Sequence, residues 1–303
     1  MKFGSVDNPG NIDLSLPSDH PDTRKVLEKI KGRSKPEIYV GCAKWNKADL
    51  KGFYPKGTKD ELEYYSSQFN AIELNATFYR IFPADTFAGW YEKTPAHFKF
   101  FPKLNQEISH WKRLKDVDEV VNNYLNNAAN LKEKLGTVFL QMHNNFAPKD
   151  FGKVVDFVES WPKEIPLAIE FRHTNWYNDG EIAKDLYQLL EKHNISNVIV
   201  DTAGRRDLLH MRLTNGTAFV RYVGANHESD YTRLETWVKR LKDWQEQGIH
   251  EIDFFIHQNI EKESPLLSAY FIKRLNEEVG SNLKVPNENS DPEFFLNLNK
   301  TIK

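Results

Sequence analysis

Short apolar runs that end in a charged or strongly polar residue recur along this chain. They end at Glu73 and Asn75, at Glu170 and Arg172, at Asp201, at Arg221 and at His257. Each is followed by a polar loop and then by a helical pattern. Strands buried on both faces, with polar groups at their ends, mark a parallel α/β fold whose site sits at the strand ends. The pattern predicts strands at 37–42, 71–75, 97–102, 137–142, 167–172, 196–201, 218–223 and 251–257. It predicts helices near 59–69, 84–92, 116–134, 149–160, 180–193, 231–246 and 264–278, with 203–216 irregular or briefly helical. Eight strands in alternation with helices predict a (β/α)8 barrel of the TIM type, a single domain over residues 36–285. Residues 1–35 read as a polar, turn-rich extension with a short helix at 22–30, packed on the barrel exterior or base. The Asn- and Lys-rich stretch beyond Gly280 reads as poorly ordered, with 286–303 forming a polar tail.

Side chains alternate along a strand, so Glu73 and Asn75 share one face while Ile72 and Leu74 share the other. Glu170 and Arg172 pair in the same way. An outward charge would be driven against the apolar helix layer, so the inward direction is expected. Asp201, Arg221 and His257 end the sixth, seventh and eighth strands and are expected at the same mouth. Glu73, Glu170 and Asp201 are then candidate acid/base groups, and Arg172 and Arg221 candidate anion clamps. The same set also fits a self-neutralising ion network in which each arginine meets a carboxylate.

Several loop residues could extend this site. Lys44 and Trp45 follow the first strand, and Lys99 and Lys103 lie in or just after the third, although a single lysine is more simply a solvated one. Asn75 and Gln141 are candidates for orienting ligand hydroxyls. Gly41 either makes room for a ligand or serves barrel packing. His110, His143, His173 and His257 fall at or after strand ends and leave a Zn2+ or Mn2+ site as an alternative. No His-x-x-x-His or His-x-x-Glu-His spacing accompanies them, so no cofactor is predicted. Trp45, Trp111 and Trp176 sit in loops where aromatic platforms stack sugars or bases, or simply pack a lid. Trp237 and Trp244, seven apart in one helical pattern, read as core. There is no Gly-rich phosphate loop and no Gly-x-Ser-x-Gly, and Cys42 has no evident activating partner.

Composition narrows the partners. The 303 residues include 20 Phe, 12 Tyr and 7 Trp, enough to fill one large core. A formal charge of -2, from 41 basic and 43 acidic side chains, argues against broad electrostatic capture of nucleic acid and leaves only a local basic groove. The single cysteine cannot form an intrachain disulfide, which fits a reducing compartment. Residues 1–13 lack an apolar signal core and no run approaches the roughly 20 apolar residues of a membrane span. A cytoplasmic protein without a membrane partner is expected; the oligomeric state is not legible.

The stretch Ile72-Glu-Leu-Asn-Ala-Thr-Phe-Tyr-Arg80 resembles the signature of the YecE-like family, also called domain of unknown function 72. Supporting stretches are 98–104 with Ile108-Ser-His110, 135–141 with Phe146, Ile169-Glu-Phe-Arg-His173 with Trp176, and Val200-Asp-Thr202. The similarity runs in order from about residue 38 to about 276 and implies a TIM-type barrel. Where that family usually shows Gly-x-Ser-Gly-Trp, this chain reads Gly41-Cys-Ala-Lys-Trp45, and its usual Gln-x-Pro-Pro reads Gln141-Met-His-Asn144. Three functions remain open. One is an enzyme on a small anionic or polyhydroxylated substrate such as a phosphorylated sugar: a hydrolase or an isomerase or lyase with a carboxylate acid/base. Another is a nucleic-acid-processing barrel, metal-dependent or not, by analogy with endonuclease-IV-like barrels. The third is a ligand-binding protein without catalysis.

Overall fold

The computed structural model describes residues 4–30 and 35–288, and all eight predicted strand segments are present in it. The strands are β1 (Glu37–Cys42), β2 (Ala71–Leu74), β3 (Lys99–Pro102), β4 (Val138–Gln141), β5 (Leu167–Glu170), β6 (Ser196–Asn197), β7 (Ile199–Thr202), β8 (Thr217–Gly224) and β9 (Glu251–Gln258). The predicted sixth strand is thus broken at Val198. Its first part pairs with β5 and its second with β8, so the chain passes from one neighbour to the other at that residue. The helices are α1 (Pro21–Ile30), α2 (Glu61–Gln68), α3 (Ala76–Tyr79), α4 (Ala84–Lys93), α5 (Asp118–Ala128), α6 (Phe151–Ser160), α7 (Asn175–Asn178), α8 (Gly180–Lys192), α9 (Ser229–Gln247) and α10 (Ser264–Glu278). Asp60 and Asp179 cap α2 and α8 by accepting from free backbone N–H groups of the first turn.

All pairings are parallel and fall into three groups, β1-β9-β8-β7, β2-β3 and β4-β5-β6. Single bridges, Phe100 with Leu135 and Lys103 with Phe139, join the second group to the third. Between β1 and β2 the link is a side chain: Asn70 donates to the Ile38 carbonyl at 2.7 Å and accepts from the Val40 N–H at 3.0 Å. Here Gly41 earns its place, because a Cβ on it would lie 2.1 Å from the Ala71 carbonyl oxygen. Close strand approach, not ligand room, explains that glycine.

Two cores follow from the alternation. The outer one lies between strands and helices. The inner one is a plug of Phe101, Phe139, Phe219 and Phe255, filled in by Ala71, Ala168, Val198 and Val200. Its rings come from β3, β4, β8 and β9, with centroids 4.9 Å apart for Phe101–Phe255 and 5.4 Å for Phe139–Phe219. Burying each such ring stabilises the fold by roughly 1.5–3 kcal/mol.

The N-terminal extension runs along the strands from one end to the other. It starts at the C-terminal end of β7, where the Gly4 carbonyl accepts from the Gly204 N–H at 2.9 Å. It then descends past Arg240 and Trp244, both bonded to Asp19, to the Ile30 carbonyl, which accepts from His250 at 2.7 Å just before β9. It therefore touches the C-terminal ends of the strands as well as their N-terminal ends. The stretch 281–288 is not loose either. Asn287 is buried, donates to Gln68 and to the Phe53 carbonyl, and accepts from the Tyr64 hydroxyl at 2.6 Å. The polar tail from 289 onward lies outside the described residues. Among the described residues no helix is long and apolar enough to cross a membrane.

Candidate functional site

Two residues beyond each member of the phenylalanine and alanine plug, the alternation delivers a polar side chain on the same inner face. Ala71 leads to Glu73, Phe101 to Lys103, Phe139 to Gln141, Ala168 to Glu170, Phe219 to Arg221 and Phe255 to His257. These six form a floor at the C-terminal strand ends, with Asn75 and Arg172 just above it. Arg221 is its hub. Its Nε and Nη2 donate to the two oxygens of Glu73 at 2.9 and 2.8 Å, and Nη1 donates to Glu170 at 2.6 Å. Glu73 also accepts from Asn75 at 2.7 Å and from His257 Nε2 at 2.9 Å. Glu170 accepts from Arg172 Nε at 2.5 Å and from Gln141 at 2.9 Å. Both arginines thus meet carboxylates, and two acids balance two arginines.

Burial alone would raise both carboxyl pKa values. Arg221 with His257 overrides this at Glu73 and holds it well below the usual range. Arg172 and Arg221 bring Glu170 down to about 2. Both acids are therefore carboxylates at neutral pH, able to accept hydroxyl hydrogens or a proton but not to donate one. Arg221, with all three donor nitrogens on carboxylates, holds the acids in place.

Lys103 stands apart. It is buried, and its Nζ donates to Gln141 Oε1 at 2.8 Å while sitting 4.2 Å above the Phe78 ring. Burial, then the charges of Arg221 and Arg172, push its pKa down to about 7. One wall beside it is Phe78, whose ring meets His110 edge-on at 4.9 Å; His110 in turn meets His143 at 5.1 Å. Burial and the neighbouring His143 and Lys103 bring His110 down to about 4, so it is neutral near pH 7. The loop that carries His110 contains a π-helical turn, Glu107–Trp111, and then left-handed backbone at Arg113, Leu114 and Asp116. Each such non-glycine residue costs about 1 kcal/mol or more. Tyr79 and Trp111 project from the loops after β2 and β3, 72% and 67% exposed.

Four expectations do not hold. Asp201 is buried but faces outward. Val198 and Val200 occupy the inner plug, so the residue between Val200 and Thr202 must point to the helices. There Arg233 (2.8 Å), Trp237 Nε1 (2.7 Å) and Arg206 receive it. The helix layer is not uniformly apolar, which removes the cost that argued for an inward charge. Trp176 is fully buried, donates to the Phe146 carbonyl at 2.7 Å and stacks among Phe146 and Phe171, so it packs the core rather than a ligand. Lys44 is solvated and pairs with Asp49 at 3.1 Å. Lys99 opens β3 at the opposite end and donates to the Glu133 carbonyl. Among the other aromatic candidates Trp45 packs edge-on against Trp90, and His173 caps its own turn by accepting from the Asn175 N–H. Among the described residues no group of three or more His, Cys, Asp or Glu side chains could hold a metal ion. Phe78 was not singled out from sequence, although it lies inside the Thr77-Phe-Tyr-Arg80 stretch.

A family model described as "Protein of unknown function DUF72" matches residues 39–290. The chain belongs to the DUF72 family. Among its relatives, the UPF0759 protein YecE of Escherichia coli (strain K12) is 27% identical over 229 residues, covering 68% of this chain and 82% of that protein. The UPF0759 protein YunF of Bacillus subtilis (strain 168) is 30% identical over 155 residues, 46% of this chain and 52% of that one. A solved DUF72 family protein from Thermotoga maritima MSB8 superposes with a TM-score of 0.65 at 27% identity, over 79% of this chain and 99% of the other. One from Enterococcus faecalis V583 gives 0.66 at 20% identity, over 80% and 99%. The DUF72 match spans every floor residue from Glu73 to His257.

Proposed function

We propose that the three strand groups form one closed (β/α)8 barrel and that its C-terminal mouth binds a small anionic, polyhydroxylated ligand of the phosphorylated-sugar class. The observation that carries the reading is the buried polar floor: two carboxylates fixed in ionised form beside Lys103 and Arg172, at one end of a phenylalanine plug. Ionised Glu73 and Glu170 suit hydroxyl groups, with Asn75 and Gln141 orienting them. Lys103 and Arg172, the latter with 15% of its side chain exposed, suit the anion. The two acids add equally to two arginines, so a charged Lys103 leaves a positive surplus that an oxyanion would neutralise. No transition metal is needed for this chemistry.

The test is thermal unfolding with a panel of sugar phosphates, neutral sugars and inorganic phosphate. A ligand at about 100 times its Kd adds about 2.7 kcal/mol, which for a chain of this length is a rise of roughly 4 °C. Arg172→Ala should remove the rise, and EDTA should leave it intact. No rise with any anion, or a rise that EDTA abolishes together with bound zinc or manganese, would overturn the reading.

A single-stranded nucleic acid is the second reading, favoured by exposed Tyr79 and Trp111 beside Arg80 and Lys112. An oligonucleotide that binds with a steep salt dependence, while sugar phosphates do nothing, would move it to first place.

A further inference from the structure

We propose that Lys103 is an amine nucleophile that forms a Schiff base with an aldehyde or ketone carbonyl of the anionic ligand. This rests on the mouth being the anion site and narrows its substrate class to anionic carbonyl compounds.

The argument begins with what surrounds the amine. Lys103 is buried at the floor, yet among the described residues no carboxylate lies within ion-pair distance of its Nζ, although Glu73 and Glu170 sit in the same layer. Gln141 keeps them apart. Its Nε2 donates to the Glu170 carboxylate, which fixes the amide orientation, so Oε1 is the atom left for Lys103. An amide oxygen accepts from either an ammonium or a neutral amine and favours the ammonium far less than a carboxylate in that place would. Phe78 at 4.2 Å and Phe139 at 6.0 Å exclude water from its sides.

The charged and titratable groups facing Lys103 come from three strands and two loops. Arg221 and Arg172 disfavour the ammonium, Glu73 and Glu170 favour it, and His110 on the loop above is neutral near pH 7. Burial and the arginines win, and the pKa falls to about 7. A desolvated lysine beside other cations is one of the recognised ways to obtain a free amine at neutral pH. Lysine pKa values are ordinarily about 10.4, so an exposed lysine has on the order of a thousandfold less neutral amine at pH 7 than Lys103.

The step balances with the ligand and water alone. The nitrogen lone pair forms the C–N bond and the carbonyl π pair moves to oxygen, which takes the proton the nitrogen sheds. A second proton from solvent then expels that oxygen as water and leaves a protonated imine. Its positive charge replaces the ammonium next to Glu170 and Glu73, so the floor keeps its charge balance after the bond forms.

The experiment is reductive trapping of the full chain with glyoxylate, a small anionic aldehyde, and cyanoborohydride at pH 7, read by intact mass and peptide mapping. Hydride from the reagent fixes the imine as a secondary amine, so the expected product gains the mass of glyoxylate less one oxygen. It should form at Lys103 at least about tenfold faster than at any exposed lysine. Lys103→Arg should lose that product. The peptide map of the unaltered protein decides the matter even if the variant fails to fold. Adducts spread evenly over exposed lysines, or none at Lys103 while phosphate still raises the melting temperature, would overturn the nucleophile and leave the anion site standing. Loss of the phosphate effect in the unaltered protein would remove both.

Discussion

Replacing Glu73 by Gln tests whether the floor is one buried ion network. The side chain keeps its volume but changes its chemistry. Glu73 Oε1 accepts from Arg221 Nη2 and Asn75, and Oε2 accepts from Arg221 Nε and His257. An amide keeps one oxygen and turns its NH2 against the donors at the other, so at least two donors lose their acceptor. Arg221 is then left with Glu170 as its one carboxylate partner in a buried setting. Breaking a buried pair from one side costs about 3–5 kcal/mol, because the remaining charge stays desolvated. Unfolding entropy near 2.1 cal/mol/K per residue makes that a fall of roughly 5–8 °C in melting temperature for this chain. Denaturant titration and thermal melts of Glu73→Gln, Arg221→Met and the double variant measure it. The double variant should cost less than the sum of the singles, by about 2 kcal/mol or more. Asp207→Asn, which removes the solvent-exposed partner of Arg205, serves as the control and should cost under about 1 kcal/mol. A Glu73→Gln protein within about 1 kcal/mol of the parent, with additive singles, would refute the network.

Two further predictions follow from the same geometry. Asp201→Asn should lower stability by about 3 kcal/mol, since Arg233 and Arg206 lose their shared carboxylate, but should leave the phosphate-induced shift unchanged; a folded variant that has lost the shift would put Asp201 back at the mouth. Glu170 has its pKa depressed to about 2, so its contribution is present above the ordinary range near 4.5 and is lost as pH falls through about 2. That contribution is about 3 kcal/mol, and Glu170→Gln should flatten the stability profile between pH 5 and 2; an unchanged slope there would show that Glu170 is not held by its arginines.

The order of strands and helices was legible because buried parallel strands and amphipathic helices write different periods into the chain. The floor was legible wherever the inner phase of a strand could be set from its own residues. Glu73, Glu170, Arg221 and His257 all follow from alternation within an apolar run. Asp201 failed for a physical reason. Its run is apolar on both faces, so the run itself does not say which parity is inward, and the choice was made on the cost of a charge among helices. That cost vanishes when the helix supplies the partner. Arg233 and Trp237 are four apart on α9 and so share one face; a polar pair on an otherwise buried stripe was the available sign. Loop residues were harder still. Trp176 and Lys44 follow strand ends just as Arg172 does, yet a loop's path is set by whichever distant groups satisfy its backbone and side chains, here the Phe146 carbonyl and Asp49.

The same reasoning separates what the floor does for the fold from what it offers a ligand. Below it lies the phenylalanine plug, which water does not reach, so every polar group of the floor must find a partner sideways or upward. Glu73, Arg221 and Glu170 satisfy one another sideways, and Gln141, Asn75 and His257 complete them. Their mutual bonds are enough to hold them in these positions. Lys103 does not fit that account. A methionine or leucine would fill the space between Phe78 and Phe139 without burying an amine, while Gln141 Oε1 would lose its donor. Among the described residues the Lys103 amine hydrogen-bonds only to an amide oxygen, beside a loop with left-handed backbone at Arg113, Leu114 and Asp116. Lys103 is therefore the floor residue whose place the ion network does not account for.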